Sequence, residues 1–170
     1  MEHTAVSDLD VKIIPQAHEV ELLVRVHPKC PNESPISFPA KNGDVGYDLK
    51  AWIETDNGEF VVNPQKMVNI RTGVYFKLPD GYWGDIRPRS STFAKRQLFV
   101  MGGTIDEGYT GEISIFIWNP TLEPHPVKNG DRLAQLVIVP RFTPKIRVVG
   151  ALPNTERGST GFGSTGLDGQ

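Results

Sequence analysis

The sequence predicts an all-β domain, a barrel or jelly-roll sandwich carrying one short helix. Three observations lead there. Seventeen Gly and fourteen Pro are scattered through 170 residues, too many breakers for long helices. Apolar residues arrive in short runs with a period of two, the pattern of strands with one face inward. Only residues 91–97 have the start and length of a helix, and 170 residues suit one domain with a sizeable core.

Residues 1–19 hold Pro15 and no sustained period, and are read as an N-terminal extension. From Val20, the residues Val20, Leu22, Val24 and Val26 alternate with Glu21, Leu23 and Arg25, which predicts a half-buried strand. A Pro-rich loop over residues 27–40 follows, and then a turn and strand over residues 43–51. Further strands are predicted over residues 60–62 and 66–75, separated by Asn63-Pro64, with a turn at Pro79-Asp80-Gly81 and a short strand over residues 82–86. Hydroxyl side chains at Ser90 and Ser91 suit a helix N-cap. Leu98, Met101 and Ile105 flank the Gly102-Gly103 turn. Ile113, Ile115 and Ile117 alternate with Ser114, Phe116 and Trp118, a strand with two apolar faces that needs cover on both sides or against another subunit. Residues 119–130 read as turns, residues 132–139 as a strand ended by Pro140, and residues 146–149 as a last strand. Residues 20–150 thus form the core. Residues 151–170 form a Gly-rich C-terminal arm with too little apolar surface to offset backbone entropy, expected to be mobile when free.

The net charge of −2 offers no basic footprint for duplex nucleic acid. Cys30 is the only cysteine, which excludes an intrachain disulfide and a four-cysteine metal site, and the four histidines lack metal-ligand spacing. The acidic N-terminus is unlike a secretory signal, and no apolar run approaches the ~18 residues of a membrane helix. These features lead to the expectation of a soluble cytoplasmic chain, in the host-cell cytoplasm if the source is viral.

Five segments carry chemistry: residues 46–51, 89–91, 103–112, 130–136 and 157–166. In residues 104–113, Asp106 and Tyr109 sit between glycines at the mouth of the alternating Ile strand. A carboxylate there can orient a water and take its proton, although an Asp in a turn is by itself more often a turn-former. Arg89-Ser90 ahead of the helix offers a cation, a hydroxyl and free first-turn amides to an anion. Gln135 lies inside an apolar strand, where its amide must find partners, either structural ones or a ligand. The arm over residues 157–166, Arg-Gly-Ser-Thr-Gly-Phe-Gly-Ser-Thr-Gly, reads as a phosphate cradle or as a flexible linker. Phe162 weighs against the linker, since a lone ring in a glycine tract suits covering something flat. It is not a Walker A loop, because the Lys is missing and no strand feeds it.

Taken in order, Gly-Tyr-Asp-Leu (46–49), Pro-Arg-Ser (88–90), Ile-Asp-x-Gly-Tyr-x-Gly-Glu (105–112), Gly-Asp-Arg-Leu-Ala-Gln-Leu (130–136) and Arg-Gly-x-x-Gly-Phe-Gly-Ser-Thr-Gly (157–166) resemble the trimeric dUTP pyrophosphatase (dUTPase) family. The resemblance implies a distorted jelly-roll barrel and a homotrimer with sites shared between subunits. It also implies Mg²⁺-assisted hydrolysis of dUTP to dUMP and pyrophosphate, which keeps uracil out of DNA and supplies dUMP for thymidylate synthesis. By position, Asp106 would orient the attacking water and Tyr109 would stack on the deoxyribose. Backbone groups around Gly103 and Ile105 would read uracil. Arg89, Ser90, Ser91 and Gln135 would hold the phosphates, and Asp48 would reach the Mg²⁺ through water. Arg157 would clamp the γ-phosphate, Phe162 would lie over uracil, and Gly163, Ser164 and Thr165 would close on the phosphates. Two positions depart from the family pattern: Ser91 stands where Gly is usual, and Thr110 where Arg is usual. Arg-Ser-Ser is also similar to the related dCTP deaminases, but the position of their catalytic Glu is Phe116 here, which has no proton to shuttle. A non-catalytic regulatory protein reusing the fold, with residues 1–19 as a partner surface, is the reading from a different class.

Overall fold

The computed structural model describes residues 20–31, 36–37, 41, 43–156 and 158–159. Eleven strands and one helix are present among them: β1 Leu23–Val26, β2 Ile36–Ser37, β3 Gly46–Lys50, β4 Glu59–Val62, β5 Met67–Lys77, β6 Tyr82–Pro88, α1 Ser90–Arg96, β7 Phe99–Met101, β8 Gly103–Ile105, β9 Glu112–Trp118, β10 His125–Lys128 and β11 Arg132–Pro140. They pair antiparallel into a four-stranded sheet ordered β1-β5-β9-β7, a five-stranded sheet ordered β2-β3-β11-β6-β8, and the ribbon β10-β4. The sheets do not close, so the architecture is the distorted jelly roll expected from the sequence. No helix among the described residues is long and apolar enough to cross a membrane.

The core lies between the two larger sheets. β9 contributes Ile113, Ile115 and Ile117; β11 contributes Leu133, Ala134 and Leu136; Leu49, Val74, Phe76, Ile86 and Val100 are among the others. Each fully buried aliphatic side chain here contributes roughly 1.5–3 kcal/mol relative to exposure, which fixes register, because a one-residue slip would turn every isoleucine of β9 outward. The Pro79–Gly81 turn forms as read: the Tyr82 N–H donates to Pro79 O at 3.2 Å, and Gly81 takes φ +83, which a Cβ would disfavour.

Several local expectations are corrected. The helix spans Ser90–Arg96 and is not capped by a serine: Arg89 stands at the N-cap without a side-chain cap bond, and Gln97 closes the other end at φ 54. The Thr92 hydroxyl instead donates to Leu133 O at 2.8 Å, tying the helix to β11. β1 forms at the edge of its sheet, but all four of its residues are exposed. Two short strands arise inside stretches read as loop: β2, at the end of the five-stranded sheet beside β3, and β10, in a ribbon with β4, a partner distant in sequence. Residues 146–149 form no strand, and Phe142, Ile146, Val148 and Leu152 are each more than 80% exposed. Among the described residues, no strand pairs with this apolar alternation. The outer face of β9 likewise remains open, with Phe116 and Trp118 exposed beside Met101, Phe99 and Met67 on the neighbouring strands.

Candidate active site

Two clefts hold the residues singled out in the sequence. The first, of about 510 Å³, is lined by Asp44, Asp48, Arg89, Ser90, Ser91 and Gln135 among others. β3, β11 and β6 lie side by side, placing Asp48 opposite Gln135 and Gln135 opposite Arg87. The chain leaves β6 at Pro88 and delivers Arg89 and both serines to the same rim. Arg89 Nε lies 2.6 Å from Asp48 Oδ1, and Arg132 reaches Asp48 Oδ2 at 3.4 Å, so the carboxylate anchors two guanidinium groups at the cleft. Gln135 has a structural partner, its Nε2 donating to Pro88 O at 3.2 Å, and it also lines the cleft. It occupies the space left by the absent Cβ of Gly46, which would collide with Gln135 Oε1. That close approach is the physical reason for glycine at the head of β3.

The second cleft, of about 300 Å³, is lined by Gly103, Ile105, Asp106, Tyr109, Met101 and Phe116 among others. β8 is the last strand of its sheet, so one side of its backbone is left to bond something other than β6. The Tyr109 N–H donates to Asp106 O at 3.0 Å, closing a turn that brings the acid and the ring together. The Tyr109 hydroxyl donates to Glu112 O at 3.0 Å, and its ring lies over Gly111, where a Cβ would strike it. Thr110 lies outside this cleft, in a shallow groove with Leu23, Arg25 and Tyr75. Ser91 also borders a third, strongly basic hollow with Lys95, Arg96 and Arg132.

The two principal clefts share no lining residue. Within one chain, the structure therefore assembles the Asp48–Arg89–Ser90–Ser91–Gln135 group and the Gly103–Ile105–Asp106–Tyr109 group separately. Arg157, Phe162, Gly163, Ser164 and Thr165 lie outside the described residues, as does the extension 1–19. Two participants escaped the reading of single residues. Arg132, inside the Gly-Asp-Arg-Leu motif, lines the first cleft, and its motif membership was the available signal. Glu112 borders the second and is gripped from β5 by Arg71 at 2.8 Å; the Gly-Glu of its motif marked it, but nothing marked Arg71.

Among the described residues there is no cluster of three or more His, Cys, Asp or Glu able to hold a metal. Among the described residues, Asp44 and Asp48 are the acids that line the first cleft. That donor set fits a hard divalent ion held largely by ligands other than the protein, with a carboxylate reaching it through water.

Residues 32–166 match the family model for dUTPase, most of the chain. The chain belongs to the dUTPase family. It is 42% identical over 134 residues to the deoxyuridine 5'-triphosphate nucleotidohydrolase of Clostridium novyi, covering 78% of this chain and 91% of that protein. It is 40% identical over 122 residues to the human mitochondrial enzyme of that name; the match takes in 72% of this chain but spans only 46% of the human protein's length. Among solved structures, a dUTPase variant of Staphylococcus bacteriophage 80alpha with dUpNHpp superposes with a TM-score of 0.72 at 30% identity, covering 86% of this chain and 99% of the other. A dUTPase variant of the S. aureus phage phi11, TM-score 0.68 at 27% identity over 79% of this chain and 99% of the other, coordinates a structural Mg(II) ion. The jelly-roll frame of this dUTPase family member agrees with those relatives.

Proposed function

We propose that the chain hydrolyses dUTP to dUMP and pyrophosphate, with Asp106 orienting the water that attacks the α-phosphorus. The observation that carries this reading is the pairing of Asp106 with Tyr109 in one cleft beside the free backbone edge of Gly103–Ile105. Backbone groups of that edge would recognise uracil, the Tyr109 ring would pack on the deoxyribose, and the Asp106 carboxylate would hold the water and accept its proton. Ring packing at the sugar discriminates by exclusion, since a ribose 2′-hydroxyl would need room and a hydrogen-bond partner. Arg89, Ser90, Ser91 and Gln135 would bind the phosphate chain; Arg132 joins them because Asp48 holds it at the same cleft. Mg²⁺, when bound, would neutralise phosphate charge, with Asp48 as its water-mediated protein contact. Phosphoryl transfer asks the protein mainly for positioning and charge stabilisation, which this donor set provides.

The active unit is a homotrimer whose sites are completed between subunits. Two observations support that reading: the nucleoside-binding and phosphate-binding groups line different clefts, and the Phe99, Phe116 and Trp118 face is left open. Residues 151–170 serve as the arm that closes the site, bringing Arg157, Phe162, Gly163, Ser164 and Thr165. Phe116, which lines the Asp106 cleft with a phenyl ring, weighs against a deaminase. The test is pyrophosphate release from dUTP, dCTP, dTTP and UTP with Mg²⁺. Turnover should favour dUTP and fall by at least about a thousandfold in Asp106→Asn, and turnover that survives this change would end the reading.

A further inference from the structure

The loop that carries Asp106 and Tyr109 runs from the end of β8 to Glu112, the first residue of β9. At its second end it meets an irregularity in β5, whose pairing with β9 shifts between Arg71 and Val74. Gly73 takes φ +71 inside this bulge, and a Cβ there would crowd Cys30 and Trp52. Bulges of this kind re-aim side chains beside active sites. Here the bulge turns three donors on the head of β9. The Thr72 hydroxyl donates to Ile113 O at 2.6 Å, and the Gly73 N–H donates to Glu112 Oε1 at 3.0 Å. The Arg71 fork donates through Nε at 3.1 Å to Oε1 and through its terminal nitrogen at 2.8 Å to Oε2 of the same carboxylate. The Arg71 guanidinium is itself fixed by Glu54 at 2.6 Å and lies 4.0 Å over the Trp52 ring. Glu112 then offers its own carbonyl to the Tyr109 hydroxyl.

We propose that Arg71 is a positioning residue for sugar discrimination, acting through Glu112 to seat the Tyr109 ring. This rests on the role given to Tyr109 under the proposed function. Arg71 does not line the cleft; Glu112 borders it and holds Tyr109 only by its backbone. A planar two-point grip fixes the position and orientation of Glu112, whereas a one-point grip leaves a rotation free. The ring is seated by the Glu112 carbonyl at its hydroxyl and by Gly111 under its face, so a shift of the strand head moves the sugar platform.

The experiment measures binding of a non-hydrolysable dUTP analogue and of its ribonucleotide counterpart by calorimetry, together with KM and kcat for dUTP. The variants are Arg71→Met, Arg71→Lys, Glu112→Gln and Glu54→Gln, each also combined with Tyr109→Phe. Arg71→Met and Glu112→Gln should narrow the deoxy-over-ribo preference about tenfold and raise KM, with kcat changed less than about threefold. Arg71→Lys should not restore the preference, and Glu54→Gln should leave it intact. In the Tyr109→Phe background the Arg71→Met effect should largely disappear, because both changes break the same linkage. An unchanged preference in Arg71→Met and Glu112→Gln, or full additivity with Tyr109→Phe, overturns the proposal; if Arg71→Met does not fold, Glu112→Gln, close to isosteric, decides. Because binding is read without turnover, an inactive wild-type chain that still prefers the deoxynucleotide would count against dUTP hydrolysis and not against this linkage.

Discussion

Replacing Gly46 by Ala should weaken phosphate binding while leaving the fold nearly intact. The new Cβ would collide with Gln135 Oε1, would stand 2.8 Å from Gln135 Cδ, and would be 3.3 Å from Gln135 Cβ. The first two atoms are the far end of a flexible side chain and can rotate away; the third is merely tight. Gly46 has no positive φ, so alanine adds no backbone strain. The rotated amide gives up its bond to Pro88 O, a cost of about 1 kcal/mol, or a fall of about 2–4 °C in Tm for a chain of this size. It also leaves the cleft, and losing one neutral donor to the phosphates should raise KM about fivefold. Gln135→Ala should raise KM by a similar factor, and adding Gly46→Ala to it should change nothing further, because the atom that collided is gone. Thermal melts and steady-state dUTP kinetics on the two single variants and the double check this. Equal and additive increases in KM would refute the reasoning, since Gly46 would then act independently of Gln135.

Three further outcomes are expected. Burial pushes the Asp131 carboxyl up, but hydrogen bonds from Arg96 and the Lys128 N–H outweigh it, and its pKa is held below the usual carboxylate range; Glu112 behaves alike, with Arg71 and the Gly73 N–H as donors. Depressed folded-state values mean stability present above pH ~4 and lost as pH falls through them. Arg96→Met should therefore cost about 1–2 kcal/mol at pH 7, with the difference from wild type shrinking toward pH 2 in denaturant titrations. Phe99→Glu with Trp118→Glu, placed on the open face of β7 and β9, should reduce the solution mass from that of three chains to one and abolish turnover; light scattering that still shows three chains would move the subunit contact elsewhere. Deleting residues 157–170 should lower turnover strongly with Tm unchanged, and normal turnover would rule out the arm as part of the site.

Much of the frame was legible because it is local. The Ile113, Ile115, Ile117 alternation became the buried face of β9, and the Pro79–Gly81 turn formed where its residues demanded it. Lone elements misled where a partner decides: residues 146–149 alternate like a strand yet pair with nothing among the described residues, and β10 formed within turn-like sequence because β4 lies beside it. The serines at 90 and 91 looked like caps, but the helix start was set by the exit of the chain from β6, leaving Arg89 at the N-cap.

By itself the sequence determined the all-β class, the turns, the family motifs and the presence of an acid and a ring on one loop, since periodicity, glycine placement and residue chemistry act over a few positions. Only the tertiary structure decided which of those motifs share a cleft, that Gly46 makes room for Gln135, and that Arg71 grips Glu112 from 41 residues away. Contacts of that range depend on strand order and register, which arise from packing the whole core and leave no periodic trace in the chain.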